Sequence, residues 1–365
     1  MALPANHAPG LMWERWMWRA LQLAALADGH TSPNPLVGAV VLDRQGVLVG
    51  EGFHAKAGRP HAEVGALAQA GQDARGGTLI VTLEPCCHHG KTPPCTEAVL
   101  KAGIQRVVIA LEDPDPRVAG NGITVLKDHG LEVIQGVLRA EAAEQNRAFL
   151  HRVRTGRPWG VLKWAMSLDG RTALSNGQSQ WISGPMARRW VHALRAGCDA
   201  VIVGGGTVRS DDPLLTTRGR REPEPLRVVL SRSLDLPSSA QLWNTETAAT
   251  LVAHGPDGVN RSLPAGPERL ALPQCDPKHL MESLAARGCN RVLWECGPEL
   301  SAAAIRQGCV QEIAAVVAPK LLGGIAAQTA LAELGFSSMN QIRSLTSMRM
   351  TQLDRDLLIQ SRSEG

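Results

Sequence analysis

The chain has 365 residues, 38 basic against 34 acidic, with 44% hydrophobic and 20% charged residues. At roughly 150 residues per domain this suggests two globular domains, and it excludes a disordered chain, a fibrous repeat and a coiled coil. A net charge of +4 over such a length is too weak to mark a nucleic-acid surface, and the absence of tyrosine removes that residue as acid, base or stacking group.

Eight cysteines are too few for a disulfide scaffold of this size. Five are scattered (Cys198, Cys275, Cys289, Cys296, Cys309), whereas Cys86, Cys87 and Cys95 fall together beside His and Glu. Such a cluster reads as a metal site in a reducing compartment. Leu11–Ala27 is rich in Trp and Leu but is interrupted by Glu14, Arg15 and Arg19, so it reads as an amphipathic helix rather than a signal peptide. No apolar run approaches a membrane span. The expectation is a cytoplasmic protein with neither a membrane nor a nucleic-acid partner.

In chain order, a helix is predicted over about 12–28, then a loop from His30 to Pro35. Strand-like Val37–Leu42 and Val47–Gly50 flank a turn at Asp43–Gly46. A helix follows over Ala62–Ala70, ended by Gly71, and the β-branched run Thr78–Leu83 reads as a buried strand. Next come a helix over 96–102 closed by Gly103, a strand at Val107–Leu111, a helix near 121–129, a strand near 131–135 and a helix over 139–153. Thr155-Gly156-Arg157-Pro158 punctuates the chain, which sets the expected domains at 1–154 and 155–365. Strands resume at Trp159–Ala165, Ala200–Val203, Arg227–Leu230, Thr250–Ala253, Arg291–Glu295 and Ile313–Val317. Strands separated by single helices indicate layered α/β sheets with ligands at the strand C-terminal ends.

The sharpest motif is His61-Ala62-Glu63 opening one helix, followed by Pro85-Cys86-Cys87-His88-His89-Gly90-Lys91-Thr92-Pro93-Pro94-Cys95 leading into the next. One imidazole and two thiolates leave a fourth tetrahedral position for water, the composition of a catalytic zinc site. Helix N-termini favour thiolates, zinc lowers the pKa of bound water to near neutrality, and a carboxylate two residues from the histidine can carry the proton. The His-x-Glu and Pro-Cys pattern is that of zinc deaminases. Two other readings of these residues stand beside it: a closed site with Cys87 as fourth ligand, serving as a structural module, and solvated loop histidines at His54, His88 and His89.

Deaminases usually separate the two cysteines by two residues, whereas eight lie between Cys86 and Cys95. With that long loop, Ser32-Pro33-Asn34-Pro35-x-Val37-Gly38 and Gly52-x-His54-x4-Gly58-x2-His61-Ala62-Glu63, the chain resembles the bifunctional deaminase/reductase of riboflavin biosynthesis. The resemblance implies a cytidine-deaminase-like α/β/α domain in which His61, Cys86 and Cys95 bind one zinc ion and Glu63 is the proton carrier. It implies that Asn34, His54, His88 and Lys91 contact the pyrimidine or its ribose phosphate. Cys87 departs from the family, where serine is usual, and sets two adjacent thiols at the metal.

The second half carries Leu162-Lys163-x-Ala165-x-Ser167-Leu168-Asp169-Gly170, Ser179-Gln180-Trp181-Ile182-Ser183, His192-x-Leu194-Arg195, Gly204-Gly205-Gly206-Thr207, Asp211-Asp212-Pro213-x-Leu215-Thr216-x-Arg218 and Glu295-x-Gly297-Pro298. On chemistry alone, the junctions at 204–207 and 297–301 offer backbone N–H groups to phosphate, or are simple tight turns. The string as a whole resembles the reductase half of the same family, with a dihydrofolate-reductase-like α/β fold. That resemblance places NADPH against Ala165, Trp181, Thr207, Asp211 and the turn Gly297, Pro298, Glu299, Leu300, Ser301, Ala302 and Ala303. Substrate would meet Ser179, Arg195, Leu215, Arg218 and Glu295, arginines being suited to a sugar phosphate. Lys163 is the candidate to polarise or protonate the opened ribose carbonyl, unless Asp169 holds it in an ion pair. Arg232, after the strand Arg227–Leu230, is the candidate for the cofactor's 2′-phosphate, although the family more often has an acid at Ser231.

The expected activity is hydrolytic deamination of 2,5-diamino-6-(5-phosphoribosylamino)pyrimidin-4-one, then NADPH-dependent reduction of 5-amino-6-(5-phosphoribosylamino)uracil to its ribityl form. The partners are then a phosphorylated pyrimidine and further copies of the chain, as a dimer or tetramer. The alternatives are a zinc deaminase of another nucleobase, or of nucleic acid, with a non-functional reductase-like domain.

Overall fold

The computed structural model describes residues 9–89, 93–115, 118–258 and 262–363. The chain divides into two compact units, Met1–Arg154 and Thr155–Gly365. Among the described residues no helix is long and apolar enough to cross a membrane.

The first unit runs α1 (Pro9–Ala25), β1 (Gly38–Leu42), β2 (Leu48–Phe53), α2 (Ala62–Ala70), β3 (Thr78–Leu83), α3 (Cys95–Ala102), β4 (Arg106–Leu111), α4 (Asn121–Asp128), β5 (Glu132–Gln135), α5 (Arg139–Gln145) and α6 (Arg147–Thr155). Its sheet has the order β2-β1-β3-β4-β5; β1 is antiparallel to β2 and β3, while β3, β4 and β5 are parallel. Alternation along the strands sorts the core into two layers. Val40, Leu42, Ile80 and Val108 face α1, α5 and α6, whereas Ala39, Val41, Leu79 and Ile109 face α2, α3 and α4. The predicted 12–28 helix is α1, which buries Trp13, Met17, Ala20, Leu21 and Ala24 at helical spacing.

α2 reaches the sheet through two glycines of β2. A Cβ at Gly50 would lie 2.2 Å from the Ala66 carbonyl oxygen, and one at Gly52 would lie 2.4 Å from that of Ala62. Only glycine permits this approach, and it fixes how far the first turn of α2 stands from the strand ends. The predicted helix over 139–153 is in fact two, broken at Asn146. Its buried amide donates to the Leu36 carbonyl and accepts from the Leu36 N–H, both at 2.8 Å, tying the break to the segment before β1.

The second unit runs β6 (Trp159–Ser167), α7 (Pro185–Ala196), β7 (Ala200–Gly204), α8 (Gly205–Asp211), β8 (Leu226–Leu230), β9 (Thr250–His254), β10 (Glu268–Ala271), α9 (Pro277–Ala286), β11 (Arg291–Trp294), α10 (Pro298–Arg306), β12 (Glu312–Ala318), β13 (Leu345–Leu353) and β14 (Asp356–Ser363). The sheet order is β10-β9-β8-β7-β11-β6-β12-β14-β13, parallel from β10 to β12 and antiparallel through the terminal hairpin. One face packs on α7 through Ala187 and Leu194, the other on α9 and α10 through Leu280, Leu284 and Ile305. β11 inserts between β7 and β6, so strand order reverses at the centre, and a crevice opens outside the carboxyl ends there. β10, β13 and β14 are strands beyond those predicted from the sequence. β10 is a short, largely exposed edge strand, and β13 is exposed along eight of its nine residues, so neither carries an apolar signature.

Candidate active sites

In the first unit, the C-terminal end of β3 is where an antiparallel neighbour gives way to a parallel one. Glu84, Pro85 and Cys86 follow directly, α2 starts after His61, and α3 starts at Cys95. Glu84 is buried and accepts backbone N–H groups from Asp113 (3.2 Å), Gly120 (3.0 Å) and Ile123 (3.1 Å), so one carboxylate pins the loop from β4 into α4. The sequence reading assigned it no role, although its place just ahead of Pro85-Cys86 is a usable signal.

The ligand atoms of His61, Cys86 and Cys95 lie within 4.8 Å of one another. His61 Nδ1 is 3.1 Å from Cys95 Sγ and 3.7 Å from Cys86 Sγ, and the Cys95 backbone N–H donates to Cys86 Sγ at 3.4 Å. A tetrahedral zinc ion with bonds of about 2.0 Å to nitrogen and 2.3 Å to sulfur holds such atoms roughly 3.5–3.8 Å apart, so the donors fit it in chemistry and in span. A proton shared with Cys95 holds the Cys86 thiol down to about 4 against the upward push of burial, with help from His61, and the same sharing pushes Cys95 up. The thiolate is the form of either sulfur that binds metal. Among the described residues, Cys87 is not part of the converging set.

Glu63, in the first turn of α2, is only 3% exposed. Burial pushes its carboxyl up, opposed by its own backbone N–H and by His61. His54 stands edge-on to His61, ring centroids 5.4 Å apart. Its Nδ1 is 3.2 Å from the Pro60 carbonyl, which can only accept, so Nε2 receives the Asn34 amide at 3.0 Å. Buried and bonded at both nitrogens, His54 braces Asn34. His88 Nδ1 is buried without a hydrogen-bond partner, while His89 is exposed beside Glu97 at 3.8 Å. Lys91 lies outside the described residues.

In the second unit, a cavity of about 1050 Å³ opens at the ends of β6, β7 and β11. Its wall includes Lys163, Ala165, Ser179, Trp181, Arg195, Thr207, Asp211, Leu215, Arg218, Glu295 and the stretch Gly297–Leu300. Ser301 and Ala302 are instead buried in the packed face of α10, Ala303 is also off the wall, and Ser301 Oγ donates to the Cys296 carbonyl. Arg232 is exposed, stands off the wall and acts electrostatically on Cys275. The Ser231 hydroxyl accepts the Leu234 N–H at 3.2 Å and is thus spent on its own turn.

Glu295 is the electrostatic centre of this wall. Arg195 donates to its two oxygens at 2.6 and 3.0 Å, and Lys163 Nζ stands 3.9 Å away. Burial alone would raise the Glu295 carboxyl, but Arg195 and Lys163 hold it down to about 2. Burial lowers Lys163, with Glu295 opposing that shift and Arg195 adding to it. Asp169 is not the partner of Lys163; it accepts from Ser167 Oγ and from the N–H groups of Leu322 and Gly323, which hold it at about 2. The loop after α8 carries three non-glycine residues in the left-handed region, Asp212 (φ 40°), Leu215 (φ 54°) and Arg218 (φ 57°). Such strain is concentrated where a loop is shaped for a ligand.

The chain thus joins a unit with a three-donor metal site to a unit with a cofactor-sized cavity on a doubly covered sheet. Residues 12–111 match the family described as the cytidine and deoxycytidylate deaminase zinc-binding region, and residues 158–359 match the RibD C-terminal domain. The riboflavin biosynthesis protein RibD of Synechocystis sp. is 49% identical over 346 residues, 94% of each chain. That of Escherichia coli is 41% identical over 85% of this chain and 88% of its own. The Acinetobacter baumannii RibD structure superposes with a TM-score of 0.88 at 39% identity, covering 98% of this chain and all of that one. A Thermotoga maritima structure, described as a diaminohydroxyphosphoribosylaminopyrimidine deaminase/5-amino-6-(5-phosphoribosylamino)uracil reductase, gives 0.87 at 35% identity, covering 98% of this chain and 100% of that one. This chain belongs to the RibD family, with a cytidine-deaminase-like N-terminal domain and a RibD-type reductase domain.

Proposed function

We propose that the chain catalyses two consecutive steps of riboflavin biosynthesis: hydrolytic deamination of a diaminopyrimidinone ribotide in the first unit and reduction of its ribosyl side chain to ribityl in the second. The observation that carries this reading is the convergence of His61, Cys86 and Cys95 beside the buried carboxyl of Glu63. Zinc held by those three side chains would polarise a water molecule and bring its pKa near neutrality. Glu63 would take a proton from the attacking water and return it to the departing amine, so that the C–N bond is replaced by C=O and ammonia leaves. Asn34, oriented by His54, and the unpaired His88 Nδ1 face the pyrimidine or its ribose phosphate, with Lys91 assigned there by family resemblance.

In the second unit NADPH, when bound, would supply the hydride. Ala165, Trp181, Thr207, Asp211 and Gly297–Leu300 hold the cofactor, and Ser179, Arg195, Leu215, Arg218 and Glu295 hold the ribotide. Lys163 donates a proton to the opened ribose oxygen; burial, which lowers its pKa, makes that proton easier to give. The free thiols of Cys86, Cys87, Cys95, Cys275, Cys296 and Cys309 support a reducing cytoplasmic setting. The uncovered edge strand β13, with Met348 and Met350 exposed, supports a homo-oligomer.

The test is to incubate the purified protein with the diaminopyrimidinone ribotide, with and without NADPH, while following ammonia and the absorbance of NADPH together. The expected result is ammonia in both arms and NADPH oxidation only after deamination; ammonia without NADPH consumption would leave a deaminase alone. The donors that converge are His61, Cys86 and Cys95, without Cys87 among the described residues. Cys87→Ser should therefore retain one zinc per chain by metal analysis and keep ammonia release within about twofold. Loss of zinc from that variant would assign Cys87 to the metal.

A further inference from the structure

α7 turns one face to the cavity of the second unit, and Arg188, His192 and Arg195 lie along it at spacings of four and three residues. The two arginines are anchored by contacts within the protein. Arg188 stacks over the Trp181 ring at 4.6 Å and donates to the Ser183 carbonyl at 2.7 Å. Arg195 grips Glu295 with two groups and donates to the Thr216 carbonyl at 2.9 Å with a third. Between them His192 lines the wall; its ring is within reach of the Thr216 carbonyl, and its Nδ1 is shielded from solvent with no aligned hydrogen bond. Leaving a buried ring nitrogen unpaired is unfavourable, and such atoms mark places where something outside the protein completes the bond.

The surroundings indicate the kind of atom that completes it. The ring faces Arg195 on its own helix, Arg218 from the strained loop after α8, and Glu295 at the end of β11. Glu295 is already occupied by Arg195, whereas Arg218 is exposed on the cavity wall. An anion entering here would meet the Arg218 guanidinium and the His192 ring together. Burial and the two arginines lower the imidazole below its ordinary range, against Glu295 and the Thr216 carbonyl. A neutral ring takes up a proton readily once negative charge arrives beside it.

We propose that His192 is a substrate-binding residue of the reductase site, its Nδ1 donating to the phosphate monoester of the ribotide alongside Arg218. This rests on the reductase reading of the cavity. The experiment titrates the full-length protein with ribose 5-phosphate by calorimetry, and in parallel measures NADPH oxidation with the aminouracil ribotide. Three variants are compared. His192→Ala loses the ring, His192→Asn keeps an amide at the Nδ1 position, and His192→Gln carries its amide nearer the Nε2 position.

The expected result is binding of ribose 5-phosphate weakened roughly tenfold or more in the Ala and Gln variants and restored to within about threefold by Asn. The KM for the ribotide should rise in proportion, with kcat and the KM for NADPH within about twofold of wild type. Unphosphorylated ribose should not distinguish the variants. Equal binding of ribose 5-phosphate by wild type and His192→Ala, or no binding by either, overturns the proposal. So does a rise confined to the KM for NADPH, which would give the contact to the cofactor's phosphates instead. So does an Asn variant as weak as Ala. If the wild-type enzyme fails to oxidise NADPH with the ribotide, the reductase reading falls, while the ribose 5-phosphate titration still decides the role of His192.

Discussion

Glu63→Gln should release ammonia from the diaminopyrimidinone ribotide about 10²–10⁴-fold more slowly than the wild-type enzyme and still bind one zinc per chain. The amide is isosteric with the carboxyl and keeps its hydrogen-bonding reach, but it neither accepts a proton from water nor returns one to a leaving amine, a contribution of about 10²–10⁴-fold in general acid–base catalysis. Zinc is retained because the three donors His61, Cys86 and Cys95 are unchanged. The fold is retained because burial already disfavours the charged form of Glu63, so a neutral amide there carries no additional desolvation cost. NADPH oxidation with the already deaminated ribotide should be unaffected, since that chemistry belongs to the second unit. Ammonia release within about tenfold of wild type would remove Glu63 from the reaction. Metal loss in the variant would make it a structural support of the ligands instead.

That prediction was available from the sequence because the deaminase motif is local in its parts. His61 and Glu63 sit two residues apart at a helix start, and Cys95 opens the next helix, so each half of the motif is set by short-range geometry. The strands between are continuous apolar runs, such as Thr78–Leu83, buried along its whole length, which periodicity recognises directly. The break at Asn146 was hidden for the opposite reason. Arg139–Thr155 has a helical pattern throughout, and a single amide bonding Leu36 from across the unit decides where it divides. The two glycines of β2 were equally silent, because close backbone approach leaves no trace in a hydrophobic pattern.

The second unit was less legible, and its topology explains why. β11 enters the sheet between β7 and β6, so Glu295 arrives beside Lys163 and Arg195 from a distant part of the chain. Sequence proximity pointed to Asp169 as the alternative partner for Lys163, yet that carboxylate is absorbed by Ser167, Leu322 and Gly323. Arg232, expected at the cofactor because it follows a strand, has its side chain off the cavity wall. Of the turn Gly297–Ala303 assigned to the cofactor by family resemblance, Gly297–Leu300 line the wall, while α10 turns the side chains of Ser301 and Ala302 inward.

The pairing that sequence missed has the largest expected effect on stability. Glu295→Gln should lower the unfolding transition of the second unit by roughly 6–20 °C, the consequence of about 3–5 kcal/mol lost when one partner of a buried ion pair is removed. The loss is of that size because Arg195 and Lys163, both largely buried, are left as two cations with no counter-charge between them. Glu295 is held at about 2 against an ordinary 4.5, so in the wild type the pairing contributes above pH 4.5 and is lost as pH falls from there towards 2. That window is worth about 3 kcal/mol in linkage terms, and the Gln variant should show a flatter decline in stability across it. Lys163 should also lose its proton more readily in the variant, because Glu295 is the group that opposes its downward shift. NADPH oxidation should therefore fall with the ribotide saturating, through the proton donor as well as through substrate binding. Adding Lys163→Met to Glu295→Gln separates the two consequences. Removing the second cation should restore part of the lost stability, while reduction falls further, as the proposed role of Lys163 as proton donor requires. A double variant no more stable than Glu295→Gln alone would show that repulsion between the stranded cations is not the origin of the loss.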